Sequence, residues 1–134
     1  LSLARPGDCV SVLAWFHRTP ARHLRLQRLR DIVRQSTRLA TTLGYGPRYL
    51  HSTGQLHKGG PDIGLFLQLT AEPDEDQPIP DERFGFGDLQ RAQAAGDYAA
   101  LERRGRRLLR LHLGTRVEAG LDALIDAVAA GDPL

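Results

Sequence analysis

The sequence predicts an α/β protein: a parallel sheet of about four strands, flanked by helices on both faces. Two short apolar runs, 9–16 and 63–70, are typical of strands buried on both faces, as the strands of a parallel sheet are. Between and after these runs, apolar residues recur every three or four positions, which is the spacing of amphipathic helices. Strands that alternate with helices imply right-handed crossovers and a three-layer domain.

The predicted elements follow one another without an internal repeat. In order they are strand 9–16, helix 20–37, strand 39–43, helix 47–58, strand 63–70, helices 86–95 and 97–104, strand 106–113 and helix 117–130. A chain of 134 residues can bury a substantial core, so we expect residues 1–134 to form a single domain.

The boundaries of the first helices follow from residue type. Thr19 and Pro20 supply an N-cap and a first-turn proline for the first helix. Pro47 starts the second helix in the same way, and the pair Gly59-Gly60 ends it. In the C-terminal part of the chain, a break in the helical pattern at Gly96-Asp97 predicts two short helices instead of one.

The last strand and the last helix are predicted from leucine and valine spacing. The segment 106–113 contains Leu108, Leu109, Leu111 and Leu113, and this apolar-rich sequence favours a strand. From Val117 onward, apolar residues lie on one face of a helix that ends at Gly131-Asp132-Pro133.

The acidic, proline-rich stretch 72–82 is predicted to be a solvated surface loop. Its prolines interrupt the compact spacing that metal ligands need.

Composition excludes several classes of protein. No apolar run approaches the roughly 20 residues needed to cross a bilayer, so we expect no membrane association. The single cysteine, Cys9, excludes an internal disulfide framework and a cysteine-rich zinc site, and it suits the reducing cytoplasm. The start at Leu1, without a methionine or a signal peptide, indicates a fragment of a longer polypeptide.

The charge pattern gives little support for nucleic-acid binding. The net charge is only +2, and the arginines of 22–38 are not interleaved with aromatic residues. Binding through that cluster would show a steep dependence on salt. Lys58 is the one lysine among the 18 cationic residues, and all the others are arginine. Its position either reflects a requirement of a functional site or is due to chance.

The segment 44–60 combines most of the residues that could carry chemistry. If 48–58 is helical, Arg48, His51, Gln55 and Lys58 lie within roughly 80° of one another on one face. Arginine and lysine bind phosphate, glutamine bonds hydroxyls and histidine transfers protons near neutral pH. The face therefore suits a polyhydroxylated anion; the alternative is an ordinary solvated helix face.

A zinc pair of histidines is not expected in this segment. His51 and His57 are six positions apart and point to different faces of the predicted helix. No Ser-His-Asp order, phosphate-binding loop or dinucleotide fingerprint occurs elsewhere in the chain. The residues alone thus predict neither a metal nor a nucleotide cofactor.

The same segment closely resembles the C-terminal part of glucose-6-phosphate isomerase domains, above all those of bifunctional transaldolase/glucose-6-phosphate isomerase proteins. Its sequence is GYGPRYLHSTGQLHKGGP, from Gly44 to Pro61. The resemblance continues through 66–70, 79–80, 86–94 and 96–97, and it covers most of the chain from about Gly7 to Leu113. The ordinary isomerases carry a pattern Gly-x-x-x-x-His-x-x-x-Gln-Leu-x-x-x-Gly. Without gaps it matches Gly46, His51, Gln55, Leu56 and Gly60.

The resemblance implies the sugar isomerase (SIS) architecture and the interconversion of glucose 6-phosphate and fructose 6-phosphate without a cofactor. His51 is then the histidine that opens the sugar ring, with His57 in reserve. Arg48, Gln55 and Lys58 are the expected substrate-binding residues, although Lys58 stands where the ordinary family often has another histidine. In that family the ring-opening histidine reaches the partner subunit's site, so a homo-oligomer is expected in the full-length form.

Some parts of the family pattern are missing. Ser52-Thr53-Gly54 replaces the bulkier residues usual after the histidine, and no segment matches the glutamate-base motif or the phosphate loop. We expect those parts upstream, in a longer parent chain, and we expect the present chain to fold but not to isomerise alone. The alternative function is a non-catalytic SIS-like module that binds a sugar phosphate.

Overall fold

A computed structural model describes residues 2–131. Its elements are β1 (Cys9–Trp15), α1 (Pro20–Thr37), β2 (Ala40–Tyr45), a 3₁₀ turn (Arg48–His51), α2 (Gly54–Gly59), β3 (Gly64–Thr70), α3 (Phe86–Arg103), β4 (Arg107–His112) and α4 (Val117–Ala130). The predicted α/β class is confirmed, and each predicted strand is present within about two residues of its expected bounds.

The sheet has four parallel strands in the order β2-β1-β3-β4. β1 is central: Val12 is in register with Leu43 of β2 on one side and with Leu67 of β3 on the other. Both faces of β1 are buried, which explains its nearly uninterrupted apolar sequence.

Helices cover both faces, and each face has its own core. On one face, α1 and α4 pack against each other and against alternate residues of β1 and β3, such as Val12 and Leu67. On the other face, Leu13, Trp15 and Phe66 pack against Tyr49 of the 3₁₀ turn and against α3. The motif-bearing segment therefore lies on the α3 side of the sheet.

The predicted start of the first helix is confirmed. Thr19 is the N-cap, and its hydroxyl accepts a hydrogen bond from the backbone N–H of Arg22. α4 ends at Gly131, whose φ of 85° is in the left-handed region that favours glycine. The predicted continuation of this stop at Asp132 and Pro133 lies outside the described residues.

Two helix predictions are wrong. The expected helix 47–58 is a 3₁₀ turn followed by the short α2. Where the two meet, the carbonyl of Tyr49 accepts the backbone N–H groups of both Ser52 and Thr53 and is also contacted by their hydroxyls, a pattern that bends helices. The expected pair of helices 86–95 and 97–104 is the single helix α3.

Packing explains why α3 continues through Gly96. Ala94, Asp97 and Leu101 are buried at helical spacing on the face that meets the sheet. Gly96 is exposed on the opposite side, where a glycine costs the helix only about 1 kcal/mol relative to alanine. Burial of the apolar side chains of Ala94 and Leu101 outweighs that cost. Within residues 2–131, no helix is long and apolar enough to cross a membrane.

Candidate functional site

The connection from β2 to β3, which we call the histidine segment (residues 46–60), forms one wall of a cleft of about 270 Å³. The other wall is formed by residues 42–45 of β2 and by Leu13 of the neighbouring β1. The cleft is lined by Leu13, Thr42, Leu43, Gly44, Tyr45, Arg48, Tyr49, Ser52, Thr53 and His57. It exists because a 3₁₀ turn and a six-residue helix are too short to cover the sheet edge as a full crossover helix would.

The start of the histidine segment lies directly against the core. A Cβ on Gly46 would overlap the indole ring of Trp15, so only glycine allows the backbone to approach this closely. Its N–H also bonds the carbonyl of Ala14 at the end of β1. These contacts fix where the chain leaves the sheet, and they give a physical reason for a glycine at the first position of the family-like pattern.

A buried hydrogen-bond network lies beneath the cleft. The indole N–H of Trp15 donates to the hydroxyl oxygen of Tyr49 at 2.9 Å, and the Tyr49 hydroxyl donates to Oδ2 of Asp97 at 2.5 Å. The other carboxylate oxygen of Asp97 lies 2.6 Å from Nζ of Lys58. Burial, together with the adjacent Asp97 carboxylate, raises the pKa of Tyr49 far above the usual phenol value.

His57 is half-buried in the wall of the cleft. Its ring centroid lies 5.8 Å from that of Tyr49 and 5.0 Å from that of Phe66. Burial lowers the pKa of His57, and the nearby Asp97 carboxylate only partly opposes this effect. The imidazole is therefore neutral at pH 7, and its Nδ1 atom is buried without a hydrogen-bond partner among the described residues.

The structure does not place the four predicted site residues on one helical face. Arg48 is exposed and lines the cleft, His51 is exposed at the end of the 3₁₀ turn, and Gln55 is exposed on α2. Lys58 instead turns toward α3 and contacts Asp97. The prediction of a shared face is wrong because it assumes a continuous helix from 48 to 58.

Asp97, Tyr49 and Trp15 are not among the residues that the sequence predicts for the site. The helical pattern assigns Tyr49 to a packing side, the apolar run assigns Trp15 to a buried strand, and Asp97 falls at a predicted helix break. A signal for Asp97 does exist, since the family resemblance includes Gly96-Asp97. The positions of these residues in the sequence, however, do not indicate that Asp97 contacts Tyr49 and Lys58.

A second and larger cleft, of about 770 Å³, opens beyond the carboxyl ends of β1 and β3. Ligands of open α/β sheets often bind at this point of the topology. Two of its three carboxylates, however, are used within the fold: Asp74 bonds Arg22, and Asp76 accepts the N–H of Gly87 at the start of α3. Within residues 2–131, no three histidine, cysteine or acidic side chains lie close enough together to hold a metal ion.

The polar side chains of this region fall into two groups: those that line the cleft and those on the exposed surface of the histidine segment. The cleft offers one guanidinium, several hydroxyls and a neutral imidazole, which can hydrogen-bond an anion that carries hydroxyl groups. His51 and Gln55 lie on the exposed surface of the same segment. The buried side chains of Trp15 and Tyr49 hold the segment in place.

The fold recurs in a solved structure. The crystal structure of a hypothetical protein from Thermus thermophilus, TT0462, is similar to this chain, with a TM-score of 0.73 and 23% sequence identity. The similarity covers 91% of this chain but only 35% of the other. It shows the fold alone. No family model and no curated protein matches the chain.

Proposed function

We propose that this chain is the C-terminal part of a glucose-6-phosphate isomerase, which interconverts glucose 6-phosphate and fructose 6-phosphate. One observation carries the proposal: the segment that resembles this family has its polar motif side chains in accessible positions. Arg48, His51 and Gln55 are exposed, whereas Tyr49 between them is buried. The three polar side chains are therefore accessible to a substrate.

Arg48 is the group best placed to bind the substrate. It is exposed at the cleft, close to the hydroxyls of Ser52 and Thr53, and a guanidinium binds phosphate oxygens through paired hydrogen bonds. Among the described residues Arg48 has no carboxylate partner within salt-bridge distance. Gln55 supplies an amide for sugar hydroxyls from the neighbouring helix.

His51 is the catalytic residue of the proposed ring opening. The C1–O5 bond breaks as His51, in its imidazolium form, donates a proton to O5, while a base takes the proton of the C1 hydroxyl and the aldehyde forms. A proton then moves from C2 to C1 through an enediolate, for which the resemblance implies a glutamate. None of the described residues that line the cleft is a carboxylate.

The glutamate and the main phosphate loop therefore belong, in this proposal, to an upstream part of a longer chain. The substrate is a sugar phosphate, no cofactor is needed, and a second copy of the protein completes the site. The present chain on its own is expected to be inactive. Measurable conversion of fructose 6-phosphate by the purified 134-residue chain would contradict this expectation.

The test uses the full-length protein. His51→Ala is expected to slow turnover of ring-closed glucose 6-phosphate more than turnover of an open-chain substrate, because only the former needs ring opening. His112→Ala is the control, since His112 is exposed on β4 and bonds Thr70 instead of facing the cleft. Equal losses on both substrates would exclude ring opening as the role of His51.

The second candidate is a non-catalytic module that binds a sugar phosphate. It is favoured by the absence of a carboxylate among the described residues of the cleft, since binding needs no base. In that case the full-length protein would bind fructose 6-phosphate without converting it. Arg48→Gln would weaken binding, and Arg28→Gln, on the opposite face of the sheet, would not.

A further inference from the structure

We propose that Asp97 is the positioning residue of the histidine segment, and that Lys58 is its counter-ion instead of a substrate ligand. The inference builds on the proposed function for its catalytic consequence. The contacts on which it rests involve only Asp97, Tyr49, Lys58 and Trp15, and these contacts can be tested in the 134-residue chain.

The direction of the hydrogen bonds follows from the chemistry of the groups. An indole N–H can only donate, so the Tyr49 oxygen accepts from Trp15. The Tyr49 hydroxyl proton is then available for Asp97 Oδ2, which can only accept when ionised. The network therefore ends on a carboxylate whose side chain is 2% exposed.

A carboxylate this deeply buried needs a compensating charge. One hydroxyl donor does not replace its lost hydration, because removing an ion from water costs several kcal/mol. Lys58, whose side chain is 27% exposed, supplies the opposite charge at 2.6 Å. The ammonium is thus required by the buried carboxylate, whether or not a substrate is present.

The carboxylate joins three elements. Tyr49 belongs to the 3₁₀ turn, Lys58 to α2 and Asp97 to α3. His51 and Gln55 lie between the two points at which the histidine segment is attached to α3. Asp97 therefore helps to position these side chains, together with Arg106, which donates to the backbone carbonyls of Lys58 and Gly60. Asp97 lies beneath the cleft and does not line it.

The geometry also explains why the chain has its one lysine here. Guanidinium groups bind carboxylates most strongly when both oxygens accept from one planar fork. At Asp97 one oxygen already accepts from Tyr49, so the other oxygen suits a single-point donor on a flexible stem better than a fork that uses both oxygens. In a chain with 18 cationic residues, all but this one arginine, the exception matches the local requirement.

The first test uses the indole of Trp15, the only tryptophan of the chain. Asp97→Asn and Lys58→Met are each expected to shift the indole N–H proton resonance and to move the His51 ring resonances, because both attachments loosen. Lys58→Arg keeps the positive charge and is expected to shift these resonances less than Lys58→Met does. Glu102→Gln, an exposed carboxylate on the same helix, is the control and leaves these resonances in place.

A double-mutant cycle separates the ion pair from general loss of packing. Asp97→Asn combined with Lys58→Met is expected to lower the melting temperature by less than the sum of the single changes, since no unpaired charge then remains. If Asp97→Asn does not fold, Tyr49→Phe with and without Lys58→Met provides a cycle on the same network. Additive effects of the two changes would overturn the proposal.

The catalytic consequence is tested in the full-length enzyme. A positioning role predicts that Lys58→Met lowers kcat, by roughly tenfold or more, with little change in KM for fructose 6-phosphate. A substrate-binding role predicts a raised KM, which would contradict the inference. If the full-length protein proves inactive, the proposed function fails, but the spectroscopic and melting experiments still decide the role of Asp97.

Discussion

The guanidinium of Arg22 meets both carboxylate oxygens of Asp74, at 2.6 and 2.8 Å, although 52 residues separate them in the chain. The Nε atom of the same Arg22 lies 2.8 Å from Oε1 of Glu118 in α4. One arginine of α1 therefore holds both the acidic loop that follows β3 and the final helix. The loop is exposed, as the sequence predicts, but Asp74 serves the fold.

Arg22→Met is expected to lower the free energy of unfolding by about 1–2 kcal/mol. Arg22 is buried, but Asp74 and Glu118 are each about half exposed, and water weakens ion pairs of this kind. Chemical denaturation measures the change. Arg28→Met, at an exposed position of the same helix, is the matched control and should unfold like the wild type.

The acid sensitivity of the fold should change in the same variant. Arg22 holds the pKa values of Asp74 and Glu118 below their usual range. The unfolded chain then binds more protons in acid, so this stabilisation is complete above the unfolded values near pH 4–4.5 and is lost as pH falls through the folded values. Arg22→Met should lose less stability than the wild type between about pH 5 and 2.5. Equal slopes would show that Arg22 is not the cause.

Gly46→Ala should be destabilising by about 1–3 kcal/mol, because the added Cβ overlaps the buried indole of Trp15. The expected signs are a lower melting temperature and a change in tryptophan emission. Gly59→Ala is the matched control in the same segment, since nothing lies within 4 Å of its Cβ position. A melting temperature for Gly46→Ala equal to that of Gly59→Ala would contradict the close approach.

His57 should make the fold less stable as the pH falls from about 7 to 5. Burial lowers its pKa in the folded state, so the unfolded chain takes up a proton first, and stability is lost below the unfolded value near 6.5. His57→Phe keeps a ring between Tyr49 and Phe66 without titrating, and it should flatten this part of the stability curve. His112→Gln, at an exposed position, serves as the comparison. An unchanged curve in His57→Phe would refute the assignment.

Gly96→Ala should stabilise the chain by about 0.5–1 kcal/mol, because alanine favours the helix and its Cβ meets nothing within 4 Å. Gly87→Ala in the same helix should do the opposite, since its Cβ would lie 3.0 Å from a carboxylate oxygen of Asp76. Thermal unfolding of both variants tests the pair. A destabilised Gly96→Ala would argue that the helix is broken at that position.

The sheet and the first and last helices are predictable from the sequence because they depend on local patterns. Thr19-Pro20 signals a helix start whatever lies around it, and β1 is apolar because both its faces are covered. The error at Gly96 has a different origin. The weak helix propensity of one glycine is visible in the sequence, but the burial of Leu101 and its neighbours, which outweighs it, depends on tertiary packing.

The candidate site is predictable only in part, for the same reason. The composition of 44–60 identifies the segment, and Arg48 does line a cleft. That Lys58 turns toward α3 depends on Asp97, which is 39 positions further along the chain and reaches it only through the fold. A helical wheel drawn for the segment alone contains no information about that partner.

The central position of β1 has a consequence for how the chain is made. β1 is synthesised before the other three strands of the sheet, but one of its two neighbours, β3, is completed only at Thr70. Pairings between parallel strands are distant in sequence and form slowly. Until β3 emerges from the ribosome, the uncharged run 10–16 has one unpaired edge and exposed apolar side chains. The nascent chain is therefore more prone to aggregate than the folded protein, in which the same residues are buried.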